Sequence, residues 1–312
     1  MRATLHALTE ELRRLKTTGV KTVSVSEESL STLRALVRAR QPATPVGQPE
    51  TMAEAPPAAA ERGTSRGKSS WTPPVVPKRT APAPVESGLP SPPEVVLPDG
   101  DKPTQWKALL AQVTNDPVCR ENIRAGKKVV LGVGNLDAKI FFCGEAPGAE
   151  EEVKGEPFVG PAGQLLTKMI GGMALQRDDV YIGNIMNWRP QMPTIDGQEQ
   201  VGNRPPSADE MNYCMPYWRA QLKIVQPEVI VALGSTAAKG LLGAGSFKTL
   251  GEIRGKWHTF EGTPVMVTYH PSYILRNQSN RSKRAIWEDL LQVMERVALP
   301  ISDKQRGYFQ AR

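Results

Sequence analysis

This chain is poor in the residues that usually staple, metallate or span a membrane. Its 312 residues include three cysteines (Cys119, Cys143 and Cys214), three histidines, and six each of Trp, Tyr and Phe. An odd, low cysteine count argues against a disulfide framework and for a reducing compartment. No Cys/His spacing makes a complete zinc site. No run approaches the ~18 apolar residues of a membrane helix. Met1–His6 continues into charged residues rather than an apolar signal segment. These absences predict a cytoplasmic, nucleoid-associated monomer with no membrane partner.

Charge and proline are what the chain has in plenty. The net charge of +7 is compatible with nucleic acid and does not by itself demonstrate it. Many of the 28 prolines lie between residues 42 and 103. That stretch holds few large apolar residues and cannot bury enough surface to offset its ordering entropy, so 41–103 reads as a disordered linker. Before it, Leu5, Leu8, Leu12 and Leu15 recur at helical spacing over 3–17, and Leu30, Leu33, Leu36 and Val37 do so over 26–40. Residues 1–40 are thus an N-terminal helical segment. Read blandly it is a small hairpin; read sharply it docks a protein partner.

From 104 to 298 apolar runs alternate with helical patterns. Strands are predicted at 127–133, 139–143, 180–186, 229–233 and 263–268, and helices at 106–113, 163–173, 207–225, 235–242 and 281–297. Residues 299–312 form a tail. The alternation predicts a three-layer α/β domain with a mostly parallel central sheet flanked by helices.

In such a sheet the loops after the strands leave at one edge, where ligands bind. Four of them carry chemistry. Gly144-Glu145-Ala146-Pro147-Gly148 runs through Glu150-Glu151 to Pro157-Phe158-Val159-Gly160 and Gly163; Asn184 to Arg189 follows the third apolar run; Gly234-Ser235 follows the fourth; His270-Pro271-Ser272-Tyr273-Ile274-Leu275-Arg276 follows the last. Glycines at a strand-to-helix turn could cradle a phosphate, yet the glutamates of the first loop would repel one.

The first loop resembles the first motif of the family 4 uracil-DNA glycosylases, and the His270 loop resembles their second. Asn184, Arg189-Pro190 and Asn203-Arg204-Pro205-Pro206 resemble the segment between. The resemblance implies a monofunctional enzyme that hydrolyses the bond between uracil and deoxyribose in DNA. It implies that Phe158 stacks on the extruded base, with Gly144 and Ala146 around it, and that the Asn184 amide pairs with the acceptor and donor of the uracil edge. It gives His270 the uracil anion to stabilise, and Glu145 and Glu151 the cation-like sugar and the attacking water. The residues do not say which glutamate orients water and which shapes the loop. Glu150 and Glu152 read as solvated neighbours. Leu275 is the implied wedge into the duplex, with Ser272, Arg276, Arg281, Lys283 and Arg284 on phosphates.

The chain departs from that pattern where family members carry a [4Fe–4S] cluster on four cysteines. Cys119 and Cys214 lie near two ligand positions, but Asp116 and Trp188 stand at the other two. Since a cluster needs four thiolates, the expectation is no iron–sulfur cluster, no metal and no other cofactor. Residues 191–201 look like an insertion, and Asn187 and Pro161 replace residues that are often basic. The alternative function is a non-catalytic or weakly active DNA-binding module attached to replication or repair machinery. A nucleotide or nucleoside hydrolase also fits the sheet edge but leaves Leu275-Arg276 without a role.

Overall fold

The computed structural model describes residues 88–192, 194 and 199–310. The helices expected at 3–17 and 26–40, and the linker up to residue 87, lie outside the described residues.

Two capped helices come first. Asp101 accepts the Thr104 N–H at 2.9 Å to open α1 (Lys102–Asn115), and Asp116 accepts the Cys119 N–H at 2.7 Å to open α2 (Pro117–Glu121). A proline in each first turn pre-sets φ where no N–H partner exists. The order continues β1 (Val133–Gly134), β2 (Ile140–Gly144), α3 (Ala149–Lys154), α4 (Pro161–Gly172), a 3-10 turn (Arg177–Asp179), β3 (Tyr181–Asn184), α5 (Ala208–Val225) and β4 (Val229–Leu233). It ends with α6 (Gly234–Leu242), α7 (Leu250–Ile253), β5 (Trp257–Phe260), β6 (Thr263–Thr268), α8 (Pro271–Arg276), α9 (Asn280–Arg296) and α10 (Asp303–Arg306). The longest helix, α5, starts with a reciprocal cap: Ser207 Oγ accepts the Glu210 N–H at 3.1 Å, and the Glu210 carboxylate accepts the Ser207 N–H at 2.7 Å.

The six strands lie in the order β1-β3-β2-β4-β6-β5. The central four are parallel, and β1 and β5 add antiparallel edges. Phe141, Cys143, Tyr181, Ile230, Ala232, Val265 and Val267 face α1, α5 and α6; Ile140, Phe142, Ile182, Val229, Val231, Leu233 and Met266 face α4 and α9. Both sheet faces are therefore covered, which is why the central strands read as unbroken apolar runs. Gly144 pairs with Asn184 and Leu233 with Thr268, so the four parallel strands stop nearly level. Their loops share one edge, as the alternation predicts.

The structure also differs from the sequence reading. Of the strand expected at 127–133 only Val133 pairs in the sheet, together with Gly134 beyond it. The residues before it hydrogen-bond to loops instead, Lys128 N–H to Glu152 O at 2.7 Å and Val130 N–H to Asn187 O at 2.9 Å. Strand β5 was not expected. It is half exposed, so it lacks a buried run, and its signal is the turn Glu261-Gly262, whose φ angles of 47° and 85° suit a tight hairpin. Leu89, Val95 and Leu97 pack on one core cluster, and Leu299, Ile301 and Tyr308 on the other, so packed chain extends past both 104 and 298. Among the described residues no helix is long and apolar enough to cross a membrane.

Candidate active site

At the shared edge lies a cavity of about 600 Å³. Each of the four loops lines it: Glu145 to Glu151 with Phe158 after β2, Asn184 at the end of β3, Gly234 to Thr236 after β4, and His270, Ser272 and Arg276 after β6. Backbone hydrogen bonds lock the first two together, Ile185 N–H to Gly144 O and Met186 N–H to Glu145 O, both at 3.1 Å.

Close packing sets the pocket floor. A Cβ on Gly144 would stand 2.3 Å from Asn184 Oδ1 and 2.4 Å from Phe158 Cζ, so only glycine lets the ring and the amide meet there. Asn184 is 5% exposed, and among the described residues its Oδ1 has no hydrogen-bond partner. Buried carbonyl oxygens are rarely left so, because each lost bond costs about 1–3 kcal/mol. The residue that bears this one lines an open cavity.

His270 packs beside Phe158, ring centroids 5.7 Å apart and planes 32° apart. It is also the cap of α8: its Nδ1 accepts the Ser272 N–H at 3.2 Å, with Ser272 Oγ 2.9 Å away. An amide N–H can only donate, so Nδ1 presents its lone pair and the neutral ring carries its proton on Nε2. Burial pushes the imidazole down to about 4, Arg276 adds to the shift, and Glu151 opposes it. At neutral pH the ring is an uncharged Nε2–H donor.

The two glutamates differ in what they touch. Glu151 accepts three backbone N–H groups, from Val159 at 3.0 Å and Gly160 at 2.9 Å on Oε1, and from Gly148 at 3.1 Å on Oε2. It ties the two ends of the first loop together. Glu145 carries no such load. It lines the cavity, and burial raises its pKa above the ordinary carboxylate value, opposed by the Thr236 hydroxyl.

The cavity's far wall comes from Pro190, Asn203, Arg204 and Pro205. Arg189, an unassigned member of that segment, is buried and pairs with Glu152 at 2.8 Å. It also donates to Asn203 Oδ1 at 2.8 Å and to the Gly202 carbonyl at 2.8 Å. Glu152 is thus not the solvated neighbour expected: it is 6% exposed, and it fastens α3 to the wall. The signal available was the lone charge in the run Ile185-Met186-Asn187-Trp188-Arg189-Pro190, where a buried arginine demands a buried anion.

The residues expected on DNA separate into groups. Ser272 and Arg276 line the cavity, and Leu275 on the same helix is 41% exposed. Arg281 is exposed. Lys283 borders an apolar groove with Leu165, Met169 and Trp287 rather than the cavity. Arg284 is engaged elsewhere: it donates to Arg306 O at 2.7 Å, Tyr308 O at 2.9 Å and Glu288 at 2.8 Å, and so holds the C-terminal segment against α9. Gly144 packs under Phe158, and Ala146 is on the cavity wall.

The chain is similar over residues 131–291 to the model of the uracil DNA glycosylase superfamily. A type-4 uracil-DNA glycosylase of Thermotoga maritima is 42% identical over 165 residues, covering 52% of this chain and 79% of that protein. The type-4 enzyme of Archaeoglobus fulgidus is 41% identical, covering 47% of this chain and 71% of its own, and that of Saccharolobus solfataricus is 37% identical, covering 55% and 77%.

These relatives overturn the expectation of a cofactor-free protein, since type-4 uracil-DNA glycosylases are iron–sulfur enzymes. The corresponding corner of this chain is built from other side chains. Cys119 and Cys214 are fully buried there, and burial pushes both thiols far up. The Asp116 carboxylate accepts the hydroxyls of Tyr213 at 2.8 Å and Tyr217 at 2.9 Å. Trp188 packs 6.2 Å from the Tyr213 ring. Two thiols do not fit a four-thiolate cluster, and among the described residues no group of three or more His, Cys, Asp or Glu is placed to hold a metal.

The matched span runs from just before β1 into α9 and includes every loop that walls the cavity, so the chain belongs to the uracil-DNA glycosylase superfamily.

Proposed function

We propose that this DNA glycosylase hydrolyses the N-glycosidic bond of uracil flipped out of DNA, as a monofunctional enzyme that starts base-excision repair. The observation that carries the reading is Asn184, a residue of the cavity lining whose side-chain Oδ1 is buried without a hydrogen-bond partner among the described residues. An acceptor fixed beside its own amide N–H₂ complements the N3–H donor and O4 acceptor of uracil. Cytosine offers an acceptor and a donor in those places and leaves both amide groups clashing with their own kind.

In this reading the flipped base lies against Phe158 with its O2 toward His270. Water adds to C1′ as the bond from C1′ to N1 breaks, and the bonding electrons leave on the uracil ring, with charge on O2. The neutral His270 donates from Nε2 to that oxygen. A neutral donor suits this, because Nε2–H stabilises the developing charge through a hydrogen bond while the ring keeps its proton. Glu145 accepts the water's proton, and its charge favours the cation-like sugar. Glu151 stays out of the chemistry and holds the loop. Leu275 fills the gap in the stack, and Arg276 and Arg281 meet phosphates.

A labelled oligonucleotide with one uracil tests this directly. Wild-type protein should leave an alkali-sensitive site at the uracil and none at cytosine or thymine. Asn184→Ala and His270→Ala should lose at least a hundred-fold in rate while still binding DNA. No cleavable site with wild type would defeat the proposal.

A further inference from the structure

Phe158 sits at φ 53°, the left-handed region, which a bulky residue keeps only when its surroundings impose it. Both peptide groups flanking it are held. On the far side Val159 N–H donates to Glu151 at 3.0 Å. On the near side the Pro157 carbonyl accepts Arg177 Nη2. The other end of the same guanidinium, Nη1, reaches Thr167 Oγ1 at 3.5 Å, and Thr167 donates to Gly163 O at 3.1 Å. Gly163 in turn closes on the platform: a Cβ there would lie 1.8 Å from the Phe158 carbonyl oxygen.

Arg177 is well placed for such a task. It opens the 3-10 turn, whose backbone is fixed by Gln176 N–H donating to Asp179 at 2.7 Å. Its side chain is half-buried, with Glu156, Asp178 and Glu151 nearby to balance its charge. It does not line the cavity.

We propose that Arg177 is a positioning residue that, with Glu151, clamps the left-handed turn at Phe158 and so fixes the plane on which the base stacks. The inference rests on Phe158 being the base platform. Without Arg177 the Pro157 peptide is free to rotate, Phe158 relaxes to negative φ, and the ring leaves the cavity floor.

A double-mutant cycle on uracil excision tests the coupling, using Arg177→Met, which keeps the aliphatic stem, together with Phe158→Ala and the double variant. Arg177→Met should lower kcat/KM about ten-fold in the wild-type background, the size of one charge-assisted hydrogen bond. In the Phe158→Ala background it should change kcat/KM less than two-fold, since no ring is left to place. Arg177→Lys should recover most of the loss. Equal losses in both backgrounds, or none in either, would overturn the clamp. If Arg177→Met does not fold, Phe158→Gly is added to it: regained folding supports the clamp, because glycine holds this backbone unaided, and continued unfolding overturns it. Excision by wild type is measured alongside, so failure of the functional proposal is seen separately from failure of the cycle.

Discussion

Replacing Asn184 with alanine should make the protein no less stable while nearly abolishing its activity. Few substitutions at a buried polar side chain have that signature. Ordinarily a buried amide is satisfied, and removing it strands its partners, at a cost of about 1–3 kcal/mol. Here Oδ1 has no partner to strand among the described residues, although the side chain is 5% exposed. Folding has already left that oxygen buried and unpaired. Asn184→Ala relieves the penalty, and because the removed atoms border a 600 Å³ cavity the space opens to water rather than leaving a dry void. Against the relief stand the lost contacts with Phe158 and Gly144. The net is about +1 kcal/mol of stability, or a rise of about 2–4 °C in melting temperature for a domain of this size.

Activity should move the other way. Two hydrogen bonds to the base edge, made in a desolvated pocket, discriminate by about 10²–10⁴-fold. Thermal melts of apo protein and single-turnover excision from a uracil oligonucleotide read the two effects independently. A fall of more than about 4 °C would show that the amide is an ordinary structural group. Retention of rate would show that the base is read elsewhere. Either result refutes the argument from the orphaned oxygen.

Further outcomes follow from the same geometry. The acid limb of kcat/KM should belong to Glu145, whose pKa burial raises above 4.5, since His270 gains its proton only at about 4; Glu145→Gln should slow excision and flatten that limb, and an unchanged limb would reassign it. His270, lowered from 6.5 to about 4, stays neutral in the fold while the unfolded chain takes up a proton, so its contribution to stability is full above pH 6.5 and is lost as pH falls toward 4; His270→Ala should soften the acid dependence of urea midpoints across that window. Glu152→Ala leaves Arg189 buried and unpaired and should cost about 3–5 kcal/mol by denaturant unfolding, whereas a loss under 1 kcal/mol would mean that the pair is solvated. Gly163→Ala must displace the Phe158 carbonyl it would overlap, so it should weaken binding of free uracil, measured by competition, along with kcat/KM.

How much of this was legible in the sequence depends on what kind of signal each feature leaves. The sheet was legible because a strand buried on both faces must be apolar throughout, as in Ile140-Phe141-Phe142-Cys143 and Val229-Ile230-Val231-Ala232-Leu233. Strand β5, wetted on one side, left no such run, and α3 and α8, six residues each, are too short to show a helical period. The convergence of polar and aromatic side chains was legible too: an amide and an imidazole just after strands, and an aromatic ring in the loop that follows β2. Asn184, His270 and Phe158 are brought together as their loops implied.

What could not be read was the division of labour between like residues, because backbone decides it. Glu145, Glu151 and Glu152 are chemically the same and lie within eight positions. Glu145 and Glu151 both line the cavity, but Glu151 also receives three amide N–H groups, and Glu152 meets a buried guanidinium. The difference arises from where the helix α3 starts. With Gly148 as its cap, Glu151 falls at the third helical position, where a carboxylate reaches back to the cap N–H. Glu152, one residue on, turns about 100° around the helix and faces Arg189 rather than the cap. Glu145 precedes the helix and stays on the strand's end. A loop that has to carry a carboxylate toward substrate can therefore be steadied by a second one, provided that a helix begins between them. That makes Glu151→Gln the sharpest probe of the division: the amide keeps one acceptor for Val159 and Gly160 but sets a donor against the Gly148 N–H. Its loss should appear in stability, about 1–2 kcal/mol, and in KM through the platform, with the pH limb unmoved. A shifted limb would return Glu151 to the chemistry.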